Sequence, residues 1–420
     1  MTHLPSTARP HPNRQTLYVM AAISLGLITG EALNLGLAGP ENLQRLNDIV
    51  GVLAVLTDIF MRLIKMIIAP LVFATLVVGM AKMGDAHTVG RVGGKAILWF
   101  FSASVLSLLL GMLLVNLLAP GEALHLEMPP ADAASGLEKV SPTLKTFIAH
   151  IFPKSIVEAM GQNEILQIVV FSMFFGIACA QLGELAHPAV KLLDSLGHIM
   201  LKMTSYAMQF APVAVFAAIA GVIGKSGFGV LKSYGLFMGE FYLGLILLCG
   251  LLCLVGFAVL GRRILSLLRH IREPALIAFG TATSEAAYPK LLQQLERFGC
   301  EERICGFVLP LGYSFNLDGS MMYMTFAVLF IAQAYGIHMP LPDQLLMLFV
   351  LLFTSKGVAG VPRASLIVIA ATLEMFQIPE AGLLLLLGVD QLLDMGRSAT
   401  NVLGNSIAAA VVSRWEKALH

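Results

Sequence analysis

Asp390, Asp394, Arg397, Asn401 and Asn405 are spaced 4, 3, 4 and 4 residues apart between Gly388 and Asn405. On a helix, at about 100° per residue, this spacing places all five on one stripe roughly 100° wide, with the other faces apolar. An apolar run, Ala381 to Leu387, precedes the stretch, and another, Ile407 to Val412, follows it. In a bilayer each charge on that stripe costs about 2.5–3.5 kcal/mol, so the stripe must face protein, water or a ligand. Arg397 offers a permanently charged planar fork suited to a carboxylate. Asp394, one turn earlier, suits an ammonium group. Asn401 and Ser320 are placed to hydrogen-bond a second carboxylate. Together they describe a site for a small amphoteric dicarboxylate such as glutamate or aspartate. The competing reading is an i, i+3 ion pair between Asp394 and Arg397 that only neutralises itself.

Two interrupted segments supply the rest. Across residues 264–296 the apolar pattern is interrupted by the Gly280–Pro289 stretch, which includes Thr283, Ser284 and Glu285. Residues 341–378 are interrupted by Thr354–Pro362, which includes Gly360 and Val361. Each half-segment is too short to cross a bilayer alone, which requires about 20 residues. After each comes a long span with polar groups. The first, 302–335, holds Asn316-Leu317-Asp318-Gly319-Ser320; the second, 380–417, holds the stripe. A broken pair followed by a polar helix, twice over, is the sequence form of an inverted repeat in a secondary transporter. Unwound backbone at membrane depth is tolerated only around a cavity or inside protein, so tips and polar helices are expected to meet at one site. Asp318 reads either as a cation ligand or as part of a satisfied helix-breaking turn. Ser284 beside Glu285 resembles a nucleophile and base, but no histidine lies nearby to complete such a set, so the sequence does not read as an enzyme.

The preceding chain reads as six ordinary spans. Of the 420 residues 57% are hydrophobic and 13% charged, where soluble domains carry about 25% charged residues. Runs of roughly 18 or more apolar residues mark an all-α, multi-pass membrane protein, with lipid as its surroundings. Spans are expected near Thr16–Leu37, Asp48–Met83, Ala96–Leu118, Glu164–Leu182, Pro188–Ile223 and Val230–Leu260. Residues 1–15 read as a cytoplasmic segment and Thr16 onward as a retained span, without a signal-peptide cleavage site. Lys82, Arg91 and Lys95 mark a cytoplasmic connection; the loop with Glu122, Glu127, Asp132 and Glu138 is acidic and external. Both termini are then cytoplasmic. The five cysteines are scattered and form neither a disulfide framework nor a metal set. A net charge of +1 gives no basis for a nucleic-acid partner.

With these motifs in hand, the chain resembles the dicarboxylate/amino acid:cation symporter family, which includes the glutamate transporters. The likeness covers about Thr16 to Lys417. It is densest in Arg62–Leu71, the first interrupted segment, Asn316–Ser320 and Asp390–Asn405. The resemblance implies eight spans plus two re-entrant hairpins working as an elevator-type homotrimer in a bacterial inner membrane. It implies a scaffold of residues 16–82 and 140–224. The moving part would be span 93–119, span 229–261, hairpin 264–296, span 302–335, hairpin 341–378 as gate, and span 380–417. By position, Arg397 would clamp the substrate side-chain carboxylate and Asp394 its amino group, with Asn401, Ser320, Thr283, the Ser284 backbone, Gly360 and Val361 around them and Asp390 behind. Relatives carrying C4-dicarboxylates usually lack an acid at the position of Asp394, so an acidic amino acid is the expected cargo, with a C4-dicarboxylate as the alternative.

Sodium-coupled relatives end the stripe in an aspartate where this chain has Asn405, and place a tyrosine and a threonine where it has Phe100 and Ala103, near Ser104. A hard-cation site short of a carboxylate and two hydroxyls should be weak. The cation-coupling set by resemblance is Asp318, Asn316, Asn405, Gly312, Ser314 and Ser104, with Glu285 added as a proton carrier. Proton coupling is therefore expected over sodium, through Glu285 or Asp318, with no organic cofactor or bound metal. Arg363 stands where prokaryotic relatives commonly have glycine. It reads as a further carboxylate contact or as a side chain reaching external water.

Overall fold

The computed structural model describes residues 14–37, 39, 41–83, 86–122, 151–355, 364–387 and 389–420. The second hairpin tip, with Gly360, Val361 and Arg363, and the acidic residues Glu127, Asp132 and Glu138 lie outside the described residues.

Leu, Ile, Val and Ala dominate the long runs, and helices form because a chain in hydrocarbon must satisfy its own backbone. The N-terminal helices are α1 (Arg14–Leu37), α2 (Leu43–Met83), α3 (Ala86–Leu118), α4 (Ile156–Gln162) and α5 (Ile165–Leu182). The expected single span Pro188–Ile223 is instead two helices, α6 (His187–Ala207) and α7 (Ala211–Ser226), separated by a tight turn at Met208–Phe210. Pro212 explains the division. It has no N–H to give, and its ring would clash with the carbonyl four residues back, so the helix ends and restarts there. Helix α8 (Gly229–Leu260) follows. Seven described stretches are long and apolar enough to cross a membrane. Side chains such as Ile28, Ile246 and Leu254 project outward and are about two-thirds exposed, which suits a lipid boundary.

The first hairpin is α9 (Arg263–Thr281) and α10 (Tyr288–Phe298). Its turn begins where Ala282 enters the left-handed region at φ +51°. The Ala282 and Thr283 amides donate back to the Phe279 and Ala278 carbonyls, closing the end of α9. A buried Lys290–Glu273 ion pair at 3.0 Å joins the two arms. The next span is α11 (Glu302–Phe315) and α12 (Asp318–Ala334), broken at Asn316–Leu317, with Asp318, Gly319 and Ser320 in the first turn of α12. The arms of the second hairpin are α13 (Leu341–Thr354) and α14 (Ala364–Met375). A short α15 (Leu383–Leu387) then leads to α16 (Asp390–Trp415), so the helix carrying the stripe starts at its first acid.

Two sets of helices pack together. α1 lies along α7, and α2 contacts α5, α6 and α7. α16 sits among α8, α9, α11 and α12, with α3 against α12. The sets meet where α11 crosses α2 and where α9 touches α7. Helix α12 is buried on every side, as a helix with apolar residues all round must be. At one end of the molecule Glu416 pairs with Arg91 at 2.9 Å and Lys95 at 2.6 Å, joining α3 to α16.

Candidate substrate and ion site

The stripe forms as its spacing requires. Asp390, Arg397, Asn401 and Asn405 are all at most 5% exposed, whereas the Asp394 side chain is 35% exposed. Arg397 is held from three sides. Its Nη2 donates to Asp390 Oδ1 at 3.0 Å and lies 3.2 Å from Asp394 Oδ1, and its guanidinium stacks 3.9 Å over the Tyr323 ring. Tyr323 in turn donates to the same Asp390 oxygen at 3.0 Å. Two carboxylates therefore hold Nη2 and a ring covers one face of the guanidinium. The remaining donors, Nε–H and Nη1–H, are buried and have no hydrogen-bond partner among the described residues. An orphaned buried N–H costs about 1–3 kcal/mol, more when charged. Nε–H and Nη1–H point to either side of Nη2, so they are two separate charge-assisted donors, each able to bind a carboxylate oxygen.

Below Arg397, Asn401 closes the break in the neighbouring span. Its Oδ1 accepts from the Gly319 and Ser320 amides at 2.9 and 3.4 Å, and its Nδ2 donates to Ser320 Oγ at 3.2 Å. Those amides are orphan donors of the first turn of α12, so Asn401 acts as a cap supplied from another helix. The Ser320 hydroxyl accepts there, which leaves its proton able to donate to a bound oxygen.

One turn further, Asn316 Nδ2 donates to Asp318 Oδ2 at 3.1 Å and to Asn405 Oδ1 at 3.3 Å, all within the core. Asn316 Oδ1, Asn405 Nδ2 and Ser314 Oγ are buried there without partners among the described residues. Close approach depends on two glycines: a Cβ on Gly312 would overlap Asn405 Oδ1, and one on Gly404 would overlap Asp318 Oδ2. Ser104 is fully buried on α3.

The first hairpin tip packs against α11 and α2. Tyr313 donates to the Ser284 carbonyl at 3.1 Å. Glu285 lines a narrow crevice with Ile68 and Val72 of α2, Ile165 of α5, Tyr288, Pro310 and Tyr313, within the field of Lys65. Thus Arg397, Asp394, Asp390, Asn401 and Ser320 come together, as do Asn316, Asp318, Asn405, Gly312 and Ser314. Glu285 instead faces the helices around α2. The sequence reading missed Tyr323. Its i, i+3 spacing from Ser320 was the available signal, since that spacing puts both on one face of α12.

The sodium:dicarboxylate symporter family description matches residues 16–415. The chain belongs to that family. It is 42% identical over 369 residues to a C4-dicarboxylate transport protein of Laribacter hongkongensis, covering 87% of this chain and 84% of the relative. A C4-dicarboxylate transport protein of Rhodospirillum rubrum is 40% identical over 418 residues, covering 97% and 90% of the two chains. One of Rhizobium leguminosarum is 39% identical over 416 residues, covering 98% and 91%. This symporter is therefore a multi-pass membrane transporter of the dicarboxylate class and not an enzyme.

Proposed function

We propose that this symporter imports small dicarboxylic acids across a bacterial inner membrane, driven by protons, with Arg397 gripping one carboxylate. The two buried, unpartnered donors of Arg397, Nε–H and Nη1–H, carry this reading. C4-dicarboxylates are the leading cargo, because relatives near 40% identity bear that name. The expectation of an acidic amino acid survives as a second reading on one observation: Asp394, the open member of the stripe, sits beside the carboxylate clamp and suits an ammonium group. Asn401 and Ser320 would serve the second carboxylate, with Thr283, Ser284, Gly360 and Val361 at the hairpin tips.

In this reading α1, α2 and α4–α7 form a trimeric scaffold, and α3 with α8–α16 moves as an elevator. The Asn316–Asp318–Asn405 cluster couples transport to a cation, with Asp318 or Glu285 as the proton carrier. Competition for uptake separates the two cargoes. Succinate, L-malate, L-aspartate and L-glutamate are supplied against whichever labelled acid accumulates, in wild type and Asp394→Ser. A C4-dicarboxylate carrier keeps succinate as its strongest competitor in both. An amino-acid carrier prefers aspartate or glutamate and loses that preference with the serine. Uptake of none of the four contradicts the assignment.

A further inference from the structure

Helix α8 carries a residue outside every group named so far. The Tyr242 hydroxyl donates to the Leu392 carbonyl at 2.6 Å, and the Gly396 amide approaches the oxygen of that hydroxyl. Leu392 C=O and Gly396 N–H are the acceptor and donor of one helical turn. That turn contains Asp394 and ends beside Arg397. Approach is close enough that a Cβ on Gly396 would overlap the Tyr242 ring and Leu245.

The two charged groups of the turn are anchored differently. Arg397 is tied to α12 through the Tyr323 ring and to Asp390. The partners of Asp394 among the described residues, Arg397 and Ser398, belong to its own helix. Asp394 therefore goes wherever its turn goes, whereas Arg397 has an outside reference. A binding constellation must be held to about 0.5 Å by hydrogen bonds behind it.

We propose that Tyr242 is a positioning residue for specificity, setting Asp394 relative to the fixed guanidinium and so governing recognition of the substituent at the α-carbon of the dicarboxylate. The proposal rests on the reading of Asp394 and Arg397 as the substrate site. It separates two functions within one turn: Arg397 grips a carboxylate every substrate has, and Asp394 reads the ammonium or hydroxyl that only some carry. Succinate has no such substituent; L-malate has a hydroxyl and L-aspartate an ammonium.

Tyr242→Phe in the full-length protein, reconstituted in proteoliposomes, removes one hydroxyl and keeps the ring. Inhibition constants for succinate, L-malate and L-aspartate are measured against the labelled acid that accumulates. The expected result is a change of at least five-fold in the malate-to-succinate or aspartate-to-succinate ratio, with succinate itself within two-fold of wild type. Hydrogen exchange of the peptide covering residues 390–398 should quicken at least ten-fold, with the remainder of α16 unchanged. Gly396→Ala, which displaces the ring by another route, should shift the ratio in the same direction. Unchanged ratios, equal losses for all three acids, or unchanged exchange would overturn the proposal. Should the wild type take up none of the acids, the substrate reading fails by itself, and the exchange result still decides whether Tyr242 holds the turn.

Discussion

At the scale of single residues the site is a set of charges compensated on one side only. Asp390 holds Nη2 of Arg397 and Tyr323 covers one face, leaving the buried Nε and Nη1 donors without partners among the described residues. Lysine would keep the charge and lose the fork and the stacking. Arg397→Lys is expected to reduce kcat/KM for uptake by the equivalent of about 2–5 kcal/mol, the range for losing one partner of a buried hydrogen-bonded charge pair. Concentration-dependent uptake measures it, and a loss under two-fold would remove Arg397 from substrate binding. The stripe was legible in the sequence because its five members share one helix, and local spacing determines a shared face. Tyr323 and Tyr242 were not singled out, because their roles come from contacts with a different helix. The mutual engagement of Asn401 with the first turn of α12 was hidden for the same reason.

At the scale of elements, interruption of an apolar run was the informative signal. The turn of the first hairpin and the Asn316–Leu317 break lie where Gly, Ser, Thr and Asn displace aliphatic residues. The division between α6 and α7 was not anticipated, although Pro212 marks it, because the surrounding composition stays apolar throughout. Packing between broken elements is tight enough to predict a cost. Gly404 lies on α16 where a Cβ would strike Asp318 Oδ2, whereas Gly250 on α8 faces open space. Overpacking of a close-fitted core costs about 1–3 kcal/mol. Gly404→Ala should therefore lower the thermal unfolding midpoint in detergent and weaken cation dependence of uptake. Gly250→Ala, relieving a flexible glycine inside a helix, should leave the midpoint unchanged or raised. Equal midpoints for the two variants would contradict the packing account.

At the scale of the whole molecule, distant parts of the chain are joined at one end by Glu416. The hydrogen bond from Arg91, with Lys95 beside it, holds its carboxyl below the usual carboxylate range against the opposing effect of burial. A carboxyl depressed in the folded state contributes stability above its unfolded value, about 4.3, and loses it as pH falls through the folded value. Wild type should thus be more stable than Glu416→Gln at pH 7, with the difference closing below about pH 4; thermal unfolding at both pH values checks this. A difference that persists or widens in acid would assign Glu416 another role.

The measurement that tests the central claim most directly is uptake of labelled succinate and L-aspartate into proteoliposomes under either an inward proton gradient or an inward sodium gradient. The account predicts accumulation of at least one of them above equilibrium with protons alone, in sodium-free buffer, and its loss in Arg397→Lys. Accumulation only under the sodium gradient, or equal accumulation by the Arg397 variant, would contradict it.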